Sequence, residues 1–592
     1  MEIFVNMLRL FFKNSKWFPI LWLLCLFSES ICQPLDAIQK VDLYFENGTV
    51  YTVDNKNTVA QCLAVNDGKI LFVGSNDEGA SYRNIAKEII DLKGGMLLPG
   101  FIDGHIHTIT PAFFDFTHFT DTNVDLILQK ITQYIIANPN QEVYYGYGFN
   151  VGVFDGEELT KGPKKERLDK ICPDKPVIIY ALDGHLVWLN SKGYEYCNIT
   201  KNTASPPGGE IMKNNLTGEL WGTVQNSAMA LVPDPLPAPE ILLVLLQQFQ
   251  SMLHALGYTS IMTLPGNGYV LVYWDGYSQL EQSGLLQLRV RGAEIVKPWN
   301  LKDDIDHLLK LRKKYNSDLL QLTAAKIFTD GIVGSKTAYL LQPYFNTADY
   351  GEPIWSQDAL NEVYTMVNKE GLAVHTHAIG DAAVKMALDA AEYAKQHTPD
   401  MDYRNAITHL QLVDAKDLPR FKELNVIPVI QSFWHFKQPG AWAPIEYPAL
   451  GERAEKEYPL KSFVDYGAMP VFSSDFPATN VPHPFYAIEI GVTRNLPDGP
   501  AYGAPDDITD MDDPKYLLQP QERLDIMTMI RGYTAHAARS IFAEDITGTL
   551  EVGKSADLIV IDQNLFDIEP LKISNTKVLK TYFKGKLVFN KE

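Results

Sequence analysis

From Val41 to Gly74 apolar residues alternate with polar ones in short runs, Val41 to Phe45, Val50 to Val53, Ala60 to Val65 and Ile70 to Val73. Period two is the signature of strands, and the Asn47-Gly48 and Asp67-Gly68 dipeptides between runs predict tight hairpin turns. The C-terminal end shows the same alternation, in Ala556 to Ile561 and then in Val578 to Phe589, which turns at Lys584-Gly585. Neither end has enough strands for a stable sheet alone. The two are therefore expected to pair into one small β-sandwich, residues 33–95 supplying its first part and residues 546–592 its second.

Between them, over residues 96–545, the pattern changes to short apolar runs alternating with amphipathic helices, as in βα units. The predicted strands are Met96 to Ile102, Tyr258 to Met262, Leu288 to Ile295, Leu322 to Phe328, Leu372 to Thr376, Ala406 to Thr408, Val426 to Ile430 and Met469 to Phe472. Helices are predicted over Glu240 to Leu256, Lys302 to Tyr315, Gln357 to Glu370 and Ala382 to Gln396. Eight strands is the number a (β/α)8 TIM barrel needs. Residues 109–235 do not fit one βα unit: they carry their own strands, Glu142 to Tyr147 and Val177 to Leu182, and a Pro/Gly-rich run at Ser205 to Gly209. They read as an insertion after the first barrel strand, where insertions overhang the active site. The expected fold class is thus α/β, a TIM barrel with a flanking β-sandwich.

Composition narrows the function. The chain has 592 residues, 46% hydrophobic and 21% charged, an ordinary globular balance long enough for more than one domain. A formal net charge of −20 argues against nucleic acid or an anionic membrane surface as partner. Residues 1–32 read as a signal peptide: Arg9, Lys13 and Lys16 precede an apolar run from Trp17 to Phe27, with Ser30 and Cys32 suiting the small-residue positions before a cleavage site. That run is short for a membrane span, and no second one of spanning length follows, so no stable span is expected after cleavage. The expected location is secreted or lumenal in the secretory pathway. Sequons at Asn47, Asn198 and Asn215 gain weight there as glycosylation sites. Past the leader remain Cys62, Cys172 and Cys197; a Cys172–Cys197 bridge and buried free thiols are equally compatible with that set.

The chemistry begins at Pro99-Gly100-Phe101-Ile102-Asp103-Gly104-His105-Ile106-His107. On a strand, His105 and His107 point the same way, so two imidazoles can share a metal ion. Lys326 ends an apolar run, Ala324-Ala325-Lys326-Ile327-Phe328; an ammonium has no lone pair, but carboxylation by CO2 makes it an anionic two-oxygen ligand. In Val374-His375-Thr376-His377 either histidine satisfies the spacing. His409 ends Ala406-Ile407-Thr408-His409, and Asp475 follows Val471-Phe472-Ser473-Ser474, where a carboxylate can bind metal and take a proton from water.

The order His-x-His, Lys, His, His, Asp resembles that of the amidohydrolase superfamily, and most closely its YtcJ-like, amidohydrolase-3 branch. Further segments carry the resemblance: Gly148-Phe149-Asn150, Asp183-Gly184-His185-Leu186-Val187-Trp188, Asp330-Gly331, His377-Ala378-Ile379-Gly380-Asp381 and Gly548 to Leu558. The resemblance implies one or two divalent ions, zinc being usual, held by His105, His107, Lys326 as a carbamate, His377, His409 and Asp475. It selects His377 over His375. It implies that His185 sits over the metals and polarises or orients the substrate, and that Phe149, Asn150, Trp188 and Phe433 are substrate-binding. Gly222 and Ser432 stand where relatives commonly carry an acidic residue and proline, in segments expected near the site. The implied activity is metal-dependent hydrolysis of a non-peptide C–N bond in an amide or N-acyl small molecule, with Asp475 as general base and then acid. Ester, lactone or cyclic-amide hydrolysis on the same site, and an inactive secreted binding protein, are the alternatives. The partner expected is a small-molecule substrate, with a homodimer as a possible assembly.

Overall fold

The computed structural model describes residues 40–108, 114–117, 123–206, 208–233, 239–266, 272–398, 401–479 and 482–591. The leader expected at residues 1–32 lies outside the described residues. Eight strands form one sheet in chain order: β1 (Phe101–Ile106), β2 (Tyr258–Thr263), β3 (Arg289–Ile295), β4 (Leu320–Phe328), β5 (Ala373–Ala378), β6 (Ala406–His409), β7 (Ile427–Ile430) and β8 (Val471–Phe472). Each neighbouring pair is parallel. The sheet curls into a nearly closed (β/α)8 barrel. Its two ends meet just past β8, where the Asp475 N–H donates to the carbonyl of His105 and the His107 N–H to that of Phe476, both at 2.9 Å.

Every residue of β1, β2 and β5 is buried. A strand with helices outside and packed side chains inside has no solvent face, so even polar residues such as Asp103, Ser260 and Thr376 are buried there. The helices follow the expected boundaries closely, at Leu301–Lys314, Gln357–Lys369 and Asp381–His397. Gln357–Lys369 begins where the Ser356 side chain accepts the Ala359 N–H, and it turns Leu360, Val363, Tyr364 and Val367 to the core.

One boundary is corrected. Met96 to Ile102 is not a single barrel strand. Met96–Pro99 pairs antiparallel with Leu558–Ile561 in the sandwich, and the barrel strand starts at Phe101. Pro99 has no N–H with which to continue a ladder. At Gly100 the backbone changes partners: its N–H donates to Asp557, and that of Phe101 to Gly257.

The sandwich strands from both chain ends share one sheet, ordered Lys586–Asn590, Val578–Phe583, Leu558–Ile561, Met96–Pro99, Thr49–Tyr51, Val59–Ala60. It packs on a four-stranded sheet of Lys69–Gly74, Cys62–Asn66, Val41–Glu46 and Ala86–Asp91. Phe45, Leu63, Val65, Leu97, Leu558 and Tyr582 fill the space between. Between β1 and β2 the insertion builds its own sheet, including Tyr144–Phe149, Val177–Ala181, Leu186–Leu189 and Leu220–Asn226. Cys62, Cys172 and Cys197 are buried free thiols, so the Cys172–Cys197 bridge does not form. Asn47, Asn198 and Asn215 are all exposed. Among the described residues no helix is long and apolar enough to cross a membrane.

Candidate metal centre and active site

The C-terminal ends of the barrel strands bring the site together. His105 lies in β1 and His107 one residue beyond it. Lys326 is on β4, His377 on β5, His409 at the end of β6 and Asp475 just past β8. All six line one cavity, together with His185 from the insertion. Strand register sets the spacing: Lys326 pairs with His375, Phe328 with His377, and Ala378 with His409. His409 and Asp475 have left-handed backbones, with φ of 77° and 52°. For residues other than glycine this costs about 1–3 kcal/mol each.

His105 Nε2 and His107 Nε2 lie 3.1 and 3.0 Å from the same atom, Asp475 Oδ1. His105 Nε2 and Asp475 Oδ1 are buried without a hydrogen-bond partner. Two orphaned buried acceptors facing each other are costly unless something positive sits between them. The opposite ring nitrogens are all engaged. His107 Nδ1 faces the carbonyl of Leu264 at 2.8 Å, so Nδ1 carries the proton and Nε2 the lone pair. His409 Nδ1 faces Gln431 Oε1 at 3.0 Å, His185 Nδ1 faces Asn226 Oδ1 at 2.8 Å, and His377 Nε2 faces the carbonyl of Gly331 at 3.0 Å. Each ring is thereby held in the tautomer that leaves one bare nitrogen, the arrangement a metal ligand needs. The donor set of imidazoles and a carboxylate suits zinc.

His375 resolves the ambiguity of its segment. It does not line the cavity; its Nε2 lies 2.9 Å from His105 Nδ1 and orients that ring from behind. His377 faces the cavity. Burial, helped by the charge of Lys326, holds the His105 imidazole well below its ordinary pKa. Burial also lowers His375, His377 and His409. Lys326 is 1% exposed, and burial brings its amine down to about 7, against the opposing charge of Asp475. Its Nζ lies 4.6 Å from the centre of the Phe328 ring. For Asp475 burial acts upward, but the adjoining His107, with His409 and Lys326, outweighs it and leaves the carboxyl below its usual value.

The four expected substrate contacts divide. Phe149 and Asn150 line a second lobe that opens from the cavity past His185 and Asp475. Trp188 does not line it. It is fully buried in the insertion core, edge-on to Phe149 and Phe154, and its indole N–H donates to the carbonyl of Lys164. Phe433 is also fully buried, and the neighbouring Trp434 takes the place expected for it, stacked on His409 at 5.8 Å. The residues between β7 and Trp434 form a 3-10 turn, which defeats counting by strand period. Gly222 and Ser432 also lie away from the cavity. Gly222 packs on the Pro163–Lys165 backbone, where a Cβ would come within 2.3 Å of the Pro163 carbonyl, and the Ser432 hydroxyl donates to Ala487.

Sequence reasoning missed the residues that hold the cavity side chains: Leu264, Gln431, Asn226 and Asp330. Asp330 accepts the N–H groups of Tyr339, Ile379 and Gly380, tying the loop after β4 to the one after β5 beside His377. Its place in Asp330-Gly331 was the one available signal.

Comparison with known proteins agrees with this architecture. The model of the amidohydrolase family matches residues 88–589. The N-substituted formamide deformylase of Arthrobacter pascens is 24% identical over 93% of this chain and 99% of its own length. The protein LONG AFTER FAR-RED 3 of Arabidopsis thaliana is 28% identical over 93% of this chain and 91% of its own. A metal-dependent hydrolase of Pyrococcus horikoshii OT3 superposes with a TM-score of 0.66 over 89% of this chain and 99% of that one, at 24% identity.

Proposed function

The chain belongs to the amidohydrolase family, and from that premise we propose that it hydrolyses a non-peptide C–N bond in an amide or N-acyl small molecule at a divalent metal centre. The observation that carries this reading is the convergence of His105 Nε2, His107 Nε2 and Asp475 Oδ1, two of them buried and without partner. These three would hold one ion, zinc by donor chemistry. His377 Nδ1 and His409 Nε2, with Lys326, would hold a second. When bound, the metal lowers the pKa of a water molecule and polarises the carbonyl of the substrate.

The side chains supply the rest. Asp475 is kept ionised at neutral pH, so it can take a proton from the attacking water and deliver it to the leaving nitrogen. His185 holds its proton at Nδ1 for Asn226, and burial lowers its pKa. Its bare Nε2 suits acceptance of a substrate N–H, a role in orienting rather than polarising. A Lys326 amine brought to about 7 has a free-base fraction at neutral pH. That fraction can add to CO2 with release of one proton, giving the carbamate. The relative acting on N-substituted formamides supports an N-acyl substrate class. The basic residues and apolar run within residues 1–32, read as a leader, support a secreted or lumenal location.

The test is metal analysis and turnover of a panel of N-acyl amines, esters and lactones. Asp475→Asn is expected to stay folded and lose about a hundredfold or more in kcat. Wild-type-like turnover in that variant, or a purified protein that binds no divalent metal, would overturn the reading.

A further inference from the structure

The lobe beyond His185 carries features that hydrolysis alone does not use. It is an open cavity of about 220 Å3, which extends the site beyond the scissile bond. Trp434, Tyr458, Gln411 and Glu446 form its far wall, and no lysine or arginine is among the described residues lining it. Behind that wall lies Glu457, wholly buried, whose Oε2 has no hydrogen-bond partner. The Gln411 amide N–H group donates to Glu457 Oε1 at 2.6 Å and to Glu446 Oε1 at 3.5 Å, so one amide serves two carboxyl groups.

Neither nearby cation pairs with these carboxyl groups: Lys437 pairs with Glu455 at 3.0 Å, and Arg494 donates to the backbone carbonyls of Leu518 and Glu457 and keeps a buried Nη1 without a partner. Burial pushes Glu446 up to about 7 and Glu457 well above its ordinary range, the response of carboxyl groups with no cation to face. On the other side of Phe328 the site opens into a mainly apolar lobe walled by Val296, Pro298, Trp299 and Trp355, with Lys297 and Glu294 also lining it. The two sides of the centre therefore differ in polarity.

Resting on the hydrolase reading above, we infer that the Glu446 lobe seats an ammonium group of the substrate, so that the preferred substrates are N-acyl conjugates of diamines or of other amines bearing a second positive charge. The Glu446 carboxylate supplies the counter-charge, with Trp434 and Tyr458 as aromatic faces beside it. Glu446 is a specificity residue in this assignment and takes no part in bond cleavage.

The experiment uses the metal-loaded full chain and series of matched length: monoacylated α,ω-diamines, N-acyl alkylamines and N-acyl ω-amino acids. The diamine conjugates are expected to exceed the neutral series by about tenfold or more in kcat/KM at some spacer length, mainly through KM, and the acids to be poorest. Glu446→Gln should erase the difference between cationic and neutral series by lowering kcat/KM for the cationic one, and a thermal melt like that of the wild type reports that the variant is folded. Glu455→Gln, which removes an equal surface charge, should leave the preference intact. Turnover of the panel with no preference for cations, or a preference that survives Glu446→Gln, overturns the inference and leaves the hydrolase reading standing. If nothing in the panel is cleaved, calorimetric titration with the free diamines decides separately. Binding weakened about tenfold by Glu446→Gln supports the lobe while the hydrolase reading falls, and no binding sinks the lobe assignment.

Discussion

Asp103 and Ser474 stand 371 residues apart and meet at one carboxylate oxygen: Asp103 Oδ1 accepts the Ser474 N–H at 3.1 Å and also that of His105 at 3.1 Å. The bond joins the first barrel strand to the segment after the last and fixes two cavity-facing residues, His105 and Asp475, on either side of the seam. Asp103→Ala leaves two buried amides unpaired, at about 1–3 kcal/mol each. We expect a lower melting temperature and weaker metal retention, read by calorimetry and by dialysis against a chelator. Asp103→Asn keeps an acceptor oxygen and should remain near wild type in both.

The His105–His375 contact predicts a positioning effect. With His375 replaced by Ala, the His105 ring loses the partner that holds its tautomer. Metal affinity is expected to fall about 10–100-fold with little change in fold. Competition with a chromogenic chelator measures it, and His375→Gln should recover part of the loss. Unchanged affinity in the alanine variant would show that His105 needs no support from behind.

Trp188 and Trp434 make opposite predictions. Trp188→Ala empties the core of the insertion and should cost about 3–5 kcal/mol of stability. Trp434→Ala, on the lobe wall, should change KM and leave the melting temperature nearly untouched. Thermal melts and steady-state kinetics on both variants separate the two roles.

A pH effect distant from the metal centre follows from Glu489. It is 1% exposed and accepts the Ser574 N–H at 2.7 Å, and burial lifts its carboxyl from 4.5 to about 7. The folded protein therefore holds a proton that the unfolded chain releases at lower pH. That contribution is fully present below about pH 4.5 and is lost as pH rises through about 7, a span worth roughly 3 kcal/mol. Relative to wild type, Glu489→Gln should gain stability steadily over that window. Parallel melting curves at every pH would refute the shift.

Much was determined by the sequence alone because it is local. The eight barrel strands, the helices between them and the hairpins at both ends follow from apolar period and turn residues, within a few positions except at the first barrel strand. The six candidate ligands, which all line the cavity, were legible too, since each lies in or just after a short apolar run near a strand end. What tertiary structure decided is long-range. The break at Gly100 depends on Asp557 and Gly257, which lie far away in the chain. That β1 and β8 close the barrel follows from an eight-strand pattern, but the tight fit at Gly104, where a Cβ would come within 2.3 Å of Val471, is invisible to any window of sequence. So is the difference between His375 and His377, which share a strand face but sit at different depths, one supporting His105 and the other facing the cavity. Trp188 and Trp434 differ for the same reason. Side-chain chemistry names candidates, but only the packing of distant segments decides which of them reach the site.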